Sequence, residues 1–94
     1  MGLAVDVIKR DGRTYSESFK RAKLHASIVA TCLGVHTPIG QAEAIAQAVC
    51  QNVEKWLQER PEITSQDLRT VTAKHLNTFH PDAAYMYEQY LVTI

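Results

Sequence analysis

An Asp-Gly pair, Asp11-Gly12, constrains the fold of this chain more than any other feature, because strand-like runs lie on both sides of it. Such a pair favours a tight hairpin with a type I′ turn, since both central residues of that turn need a positive φ. Lys9 and Arg10 then lie just before the turn. The chain therefore begins with two cations at the tip of a hairpin, which is a candidate anion site. The two strand-like runs are residues 5–10 and 13–19.

Apolar residues recur at helical spacing in four segments after the hairpin. The first runs from about 20 to 33 and the second from about 41 to 59. A third begins after Thr64, where a capping-box pattern with Asp67 is flanked by a hydrophobic staple. A fourth begins at Pro81, because proline favours the first turn of a helix.

An isolated hairpin is marginal in water, so this one is expected to pack on the helices. Ile63 is a candidate for a short third strand. The sequence predicts a mainly α member of the α+β class, in which a four-helix bundle is capped by a small antiparallel β-hairpin or three-stranded sheet. We expect one domain over residues 1–94, with the β-cap at about 4–19 and the bundle at about 20–94.

Charge is distributed unevenly although the formal net charge is zero. Residues 1–24 carry six Lys and Arg against three acidic residues, whereas residues 25–94 carry four against seven. Lys20 and Lys23 extend the basic cluster from the hairpin into the start of the first helix. A helix N-terminus adds backbone donors and a positive dipole. These observations favour a phosphate-bearing ligand over a solvated basic face, and zero net charge argues against a general nucleic-acid binder.

Several kinds of site have no signature in the sequence. There is no Gly-rich phosphate loop, no Ser-His-Asp pattern and no obvious pair of acids, so a nucleotide is expected to be bound by cations rather than hydrolysed. Cys32 and Cys50 fall on apolar helical stripes and are expected to be buried free thiols, with no metal site. No apolar run reaches the ~20 residues of a membrane span, and no signal peptide precedes the hairpin. We expect a cytoplasmic, non-enzymatic protein without membrane contact.

Five segments, taken in order, resemble the ATP-cone domain. That domain is the nucleotide-binding regulatory module of many ribonucleotide reductases and of the transcriptional repressor of their genes. The resemblance covers nearly the whole chain. The segments are VIKRDGR at 7–13, ESF at 17–19, RAKL at 21–24, ITSQDL at 63–68 and AYMYEQY at 84–90.

The resemblance implies a non-catalytic domain that binds ATP or dATP, with or without Mg²⁺, and changes oligomeric state with the nucleotide. Its partners would be further copies of itself or a ribonucleotide reductase-type protein, and DNA only indirectly if the chain is part of a repressor. Cations of the cluster would neutralise the triphosphate, and Glu17 and a hydroxyl would contact the sugar or base. The nucleotide-binding residues implied are Val7, Lys9, Arg10, Glu17, Lys20, Lys23, Ser65 and Arg69.

The chain also departs from the family pattern. Lys9 and Lys23 are about two residues further apart, which a bulge or a longer return strand would absorb. Lys20 replaces an Asp or Asn, and Leu91 and Val92 fall where basic residues are usual. With the tyrosine-rich last helix, these departures support an alternative, which is a cone-fold protein-interaction or nucleic-acid-binding module that no longer binds nucleotide.

Overall fold

The computed structural model describes residues 5–11 and 13–89, without the side chains of residues 10, 11 and 13–15. Three strands and four helices lie in these residues, which confirms the predicted class: four helices with a three-stranded mixed sheet. In chain order the elements are β1 Asp6–Asp11, β2 Arg13–Ser18, α1 Arg21–Gly34, α2 Ile39–Leu57, β3 Glu62–Thr64, α3 Ser65–Phe79 and α4 Pro81–Gln89.

The sheet has the order β2-β1-β3, with β1 antiparallel to β2 and parallel to β3. The predicted third strand around Ile63 is therefore confirmed. The predicted type I′ turn is wrong, because β1 and β2 pair Arg10 with Thr14, whereas a two-residue Asp-Gly turn pairs Arg10 with Arg13. Gly12 itself lies outside the described residues.

One core joins the helices to the sheet. The predicted apolar rows of α1 and α2 are buried, and so are both cysteine thiols. Leu33 and Phe79 continue the helical spacing of the apolar residues in α1 and α3. They are nevertheless 43% and 46% exposed, because they lie in the last turns of these helices. The largest fully buried side chains include Tyr87, Leu24, Ile28, Leu57, Leu68, Leu76, Val49 and Val53.

The end of α1 differs from the sequence prediction. Gly34 directly follows the helical segment predicted for residues 20–33, where a glycine often takes the left-handed conformation that ends a helix. In the structure Gly34 is instead the last helical residue, and His36 has the positive φ of 65°. The His36 amide donates to Leu33 O at 3.0 Å and the Thr37 amide donates to Cys32 O at 3.0 Å. This is a Schellman arrangement, and His tolerates it better than a β-branched residue would.

The ends of the other helices follow local rules. α3 has the predicted capping box: Thr64 Oγ1 accepts from the Asp67 amide at 3.0 Å, and the Thr64 amide donates to Asp67 Oδ2 at 3.4 Å. α2 begins at Ile39, two residues earlier than expected, because Gly40 is tolerated in an exposed first turn after Pro38.

Candidate functional site

A small cavity, with an enclosed volume of only about 10 Å³, lies between the inner face of the hairpin, the first turn of α1 and the start of α3. Three of its residues are lysines and three are apolar. The lining residues are Val7, Lys9, Glu17, Ser18, Phe19, Lys20, Lys23 and Leu68. The fold therefore brings together five of the eight residues predicted for a nucleotide site.

The strand geometry explains why residues of β1 and β2 meet at this cavity. Val7 and Lys9 are two residues apart and share a face of the sheet, and Glu17 pairs with Val7 across the ladder. Val7 is only 3% exposed, so this face is the one that packs toward the helices. Lys9 and Glu17 are consequently directed to the same side as the apolar core.

Glu17 bridges two lysines. Lys23 Nζ donates to Glu17 Oε1 at 2.8 Å, and Lys9 Nζ lies 3.5 Å from Glu17 Oε2. The hydrogen bond from Lys23 lowers the pKa of Glu17 below its usual value. Burial lowers the pKa of Lys9, and the neighbouring Lys23 adds to that effect against the opposing pull of Glu17. The cluster contains two cations and one anion, and the Lys9 side chain is only 14% exposed.

The first turn of α1 increases the positive potential of this cavity. Lys20 occupies the N-cap position without a side-chain capping bond, and the first turn has no acidic residue. Arg21 in the same turn is paired with Glu54 of α2. Cations at a helix N-terminus oppose the helix dipole, so a bound anion would relieve an unfavourable arrangement.

Three of the predicted residues are not among the lining residues of the cavity. Ser65 and Arg69 lie on α3, which contributes Leu68 to the wall instead. Arg69 is close enough to Tyr87 of α4 for its positive charge to act on the phenol. That charge lowers the pKa of Tyr87, although burial raises the pKa by more. The side chain of Arg10 lies outside the described residues. For these three residues a role in binding stays a prediction.

Sequence reasoning missed three lining residues: Ser18, Phe19 and Leu68. Leu68 had a usable signal, because it is the residue of the hydrophobic staple that pairs with Ile63. Ile63 lies in β3 beside β1, so the staple directs Leu68 toward the sheet. Ser18 and Phe19 belong to the segment at 17–19 that resembles the ATP-cone domain. Their position in the cavity wall depends on how the hairpin packs against the helices, which the sequence does not show.

Across residues 5–11 and 13–89, no cluster of three or more His, Cys, Asp or Glu side chains could hold a metal ion. Within the same ranges, none of the helices combines the length and apolar character needed to cross a bilayer.

The comparisons with known proteins give one match. The family model described as the ATP cone domain matches residues 5–92. No curated protein and no solved structure matches the chain. The family match covers nearly the whole chain and includes both the hairpin and the four helices.

Proposed function

The chain belongs to the ATP-cone family, and we propose that it binds ATP or dATP in the cavity between the sheet and α1. ATP-cone domains are nucleotide-binding regulatory modules and are not themselves catalytic. The observation that carries the proposal is the convergence of Lys9, Lys20 and Lys23 on one cavity with an apolar wall. Ammonium groups suit phosphate oxygens, and an apolar wall suits the face of a base.

The lining residues suggest how the parts of a nucleotide are recognised. We assign the phosphates to the three lysines and the base to the apolar wall that includes Val7. The family resemblance assigns Glu17 a contact with the sugar or base, and it brings Arg10 to the phosphates. Ser65 and Arg69 would approach from α3 once the nucleotide is in place.

The size of the cavity indicates that binding moves the surrounding elements. Its enclosed volume of about 10 Å³, room for about one water molecule, is far below the ~300 Å³ at which small-molecule pockets usually begin. A nucleoside triphosphate therefore either widens the gap between the hairpin and α1 or extends out of it. We assign any Mg²⁺ to the phosphate oxygens and water, which is how this ion usually accompanies nucleotides.

We further propose that nucleotide binding controls assembly in the cytoplasm, where both ATP and dATP are found. The partner would be a second copy of the chain or a ribonucleotide reductase-type protein, with DNA reached only indirectly through a repressor. Such control requires two assembly states that differ in nucleotide affinity. Sedimentation velocity with ATP, with dATP and without nucleotide tests this, and identical sedimentation in all three would contradict it.

Calorimetric titration tests the binding site directly. We expect ATP or dATP to bind the unaltered chain, and Lys9→Ala to lower the affinity by about 1–3 kcal/mol, because a charge-assisted hydrogen bond to phosphate is lost. Lys74→Ala is the matched control, since Lys74 is exposed on α3 and does not line the cavity. Absence of binding at millimolar nucleotide, with the fold intact, would refute nucleotide binding and favour an interaction module. Equal losses of nucleotide affinity in Lys9→Ala and Lys74→Ala would mean that the nucleotide binds outside this cavity.

A further inference from the structure

The Glu17 carboxylate occupies the position of an anion between two lysines of the cavity. Its two oxygens contact two different ammonium groups, Lys23 Nζ at 2.8 Å and Lys9 Nζ at 3.5 Å. These are the contacts that a phosphate group would be expected to make in this cavity. The carboxylate and an incoming phosphate therefore need the same hydrogen-bond donors.

The surroundings of Lys9 explain why a carboxylate is held there. The Lys9 side chain is largely buried, and a buried ammonium is costly unless an anion accompanies it. Glu17 is itself 36% exposed, so it can turn away from the lysines into solvent. In the structure Glu17 provides the countercharge, and a stronger anion can replace it without burying an uncompensated charge.

We propose that Glu17 is a built-in competitor for the phosphate position and that it makes the cavity selective for polyphosphates over a single phosphate. The inference rests on the proposed function and concerns the regulation of the same site. A single phosphate gains little by replacing a carboxylate that already holds both lysines. A triphosphate carries more charge and reaches Lys20 as well, so it displaces Glu17 with a net gain.

This role of Glu17 can be separated from a contact with the sugar or base by using ligands that have neither. The probes are inorganic tripolyphosphate and inorganic phosphate, titrated calorimetrically against the unaltered chain and Glu17→Gln. Glu54→Gln is the matched control. It adds the same unit of positive charge and releases Arg21 in the first turn of α1, but Glu54 does not line the cavity.

We expect Glu17→Gln to bind inorganic phosphate about two- to thirty-fold more tightly, which is the range for two partly exposed ion pairs. The preference for tripolyphosphate over phosphate should narrow in this variant and stay unchanged in Glu54→Gln. Unchanged or weaker binding of both probes by Glu17→Gln would overturn the proposal. So would equal tightening in Glu17→Gln and Glu54→Gln, because a general charge effect would then suffice.

A measurement on the unaltered chain covers the case in which Glu17→Gln folds poorly. Carbon-13 spectra of the Glu17 carboxyl, followed against pH, should show its lowered pKa rising toward the ordinary value when tripolyphosphate saturates the cavity. An unchanged pKa at saturation would mean that Glu17 keeps its lysines, which overturns the proposal. If tripolyphosphate behaves as expected but neither ATP nor dATP binds, the proposed function fails while the competition by Glu17 stands.

Discussion

Tyr87→Phe tests the hydrogen bond at the centre of the helical bundle. Tyr87 on α4 is fully buried, and its hydroxyl lies 3.0 Å from Ser27 Oγ on α1. Ser27 uses its only hydrogen to donate to Leu24 O at 2.7 Å, so the Tyr87 hydroxyl must be the donor to Ser27. Removing it leaves the bond from Ser27 to Leu24 in place. We therefore expect a loss of about 1 kcal/mol in the free energy of unfolding at pH 8.

The loss should shrink as the pH rises. Burial raises the pKa of Tyr87 to about 12 from the usual value of 10.0. A folded-state pKa above the unfolded one means that the neutral phenol stabilises the fold below pH 10, and that this contribution is lost as the pH rises toward 12. By linkage the unaltered chain loses about 1.4 kcal/mol by pH 11, whereas Tyr87→Phe has no phenol to ionise at this position. The two chains should be about equally stable near pH 11.

Urea unfolding at pH 8, 9, 10 and 11 measures this, with circular dichroism and the fluorescence of the single tryptophan, Trp56, as the two probes. Burial also raises the pKa of Cys50 to about 11, but that thiol is present in both chains, so its contribution cancels in the difference. A difference in stability that stays constant from pH 8 to 11 would refute the reasoning. A variant more stable than the unaltered chain at pH 8 would refute the assigned hydrogen bond.

The remaining predictions concern the cap of α3 and the two thiols. Thr64→Ala should lower the free energy of unfolding by about 1 kcal/mol, because the capping box is lost. Thr70→Ala, on the exposed face of α3, is the control and should leave that free energy unchanged. Equal urea midpoints for the two variants would contradict this prediction. Cys32 and Cys50 are buried and burial raises the pKa of both thiols, so iodoacetamide at pH 8 should modify neither in the folded chain and both in urea. Rapid labelling of the folded chain, read by mass spectrometry, would contradict this.

Features that depend on neighbouring residues were predictable from the sequence. The capping box of α3 needs only Thr64 and Asp67, three residues apart, and it forms as predicted. The buried rows of α1 and α2 follow from helical periodicity alone. The termination of α1 did not follow the local rule, because Thr37 is held by His80 Nε2 at 2.8 Å and the left-handed residue is His36 instead of Gly34. That contact joins two loops 43 residues apart, so no short sequence window contains it.

The candidate site was predictable in its composition but not in its geometry. The basic cluster indicated Lys9, Lys20 and Lys23 as cations for one anion, and all three line the cavity. The bridge made by Glu17 was not predictable, because it depends on the pairing of β1 with β2 and on the packing of the hairpin against α1. The pairing of Arg10 with Thr14 also differs from the register that a two-residue Asp-Gly turn implies.

The hairpin has no bulge in its described residues. Every residue of β1 pairs in sequence with one of β2, from Asp6 with Ser18 to Asp11 with Arg13, so the ladder is regular. Side chains on a strand alternate between the two faces, so an even number of added residues leaves every later side chain on its original face. In this register Glu17 faces the cavity and reaches Lys23, six residues further along the chain. A single added or deleted residue in β2 would instead turn Glu17 to the outer face and remove its carboxylate from Lys9 and Lys23.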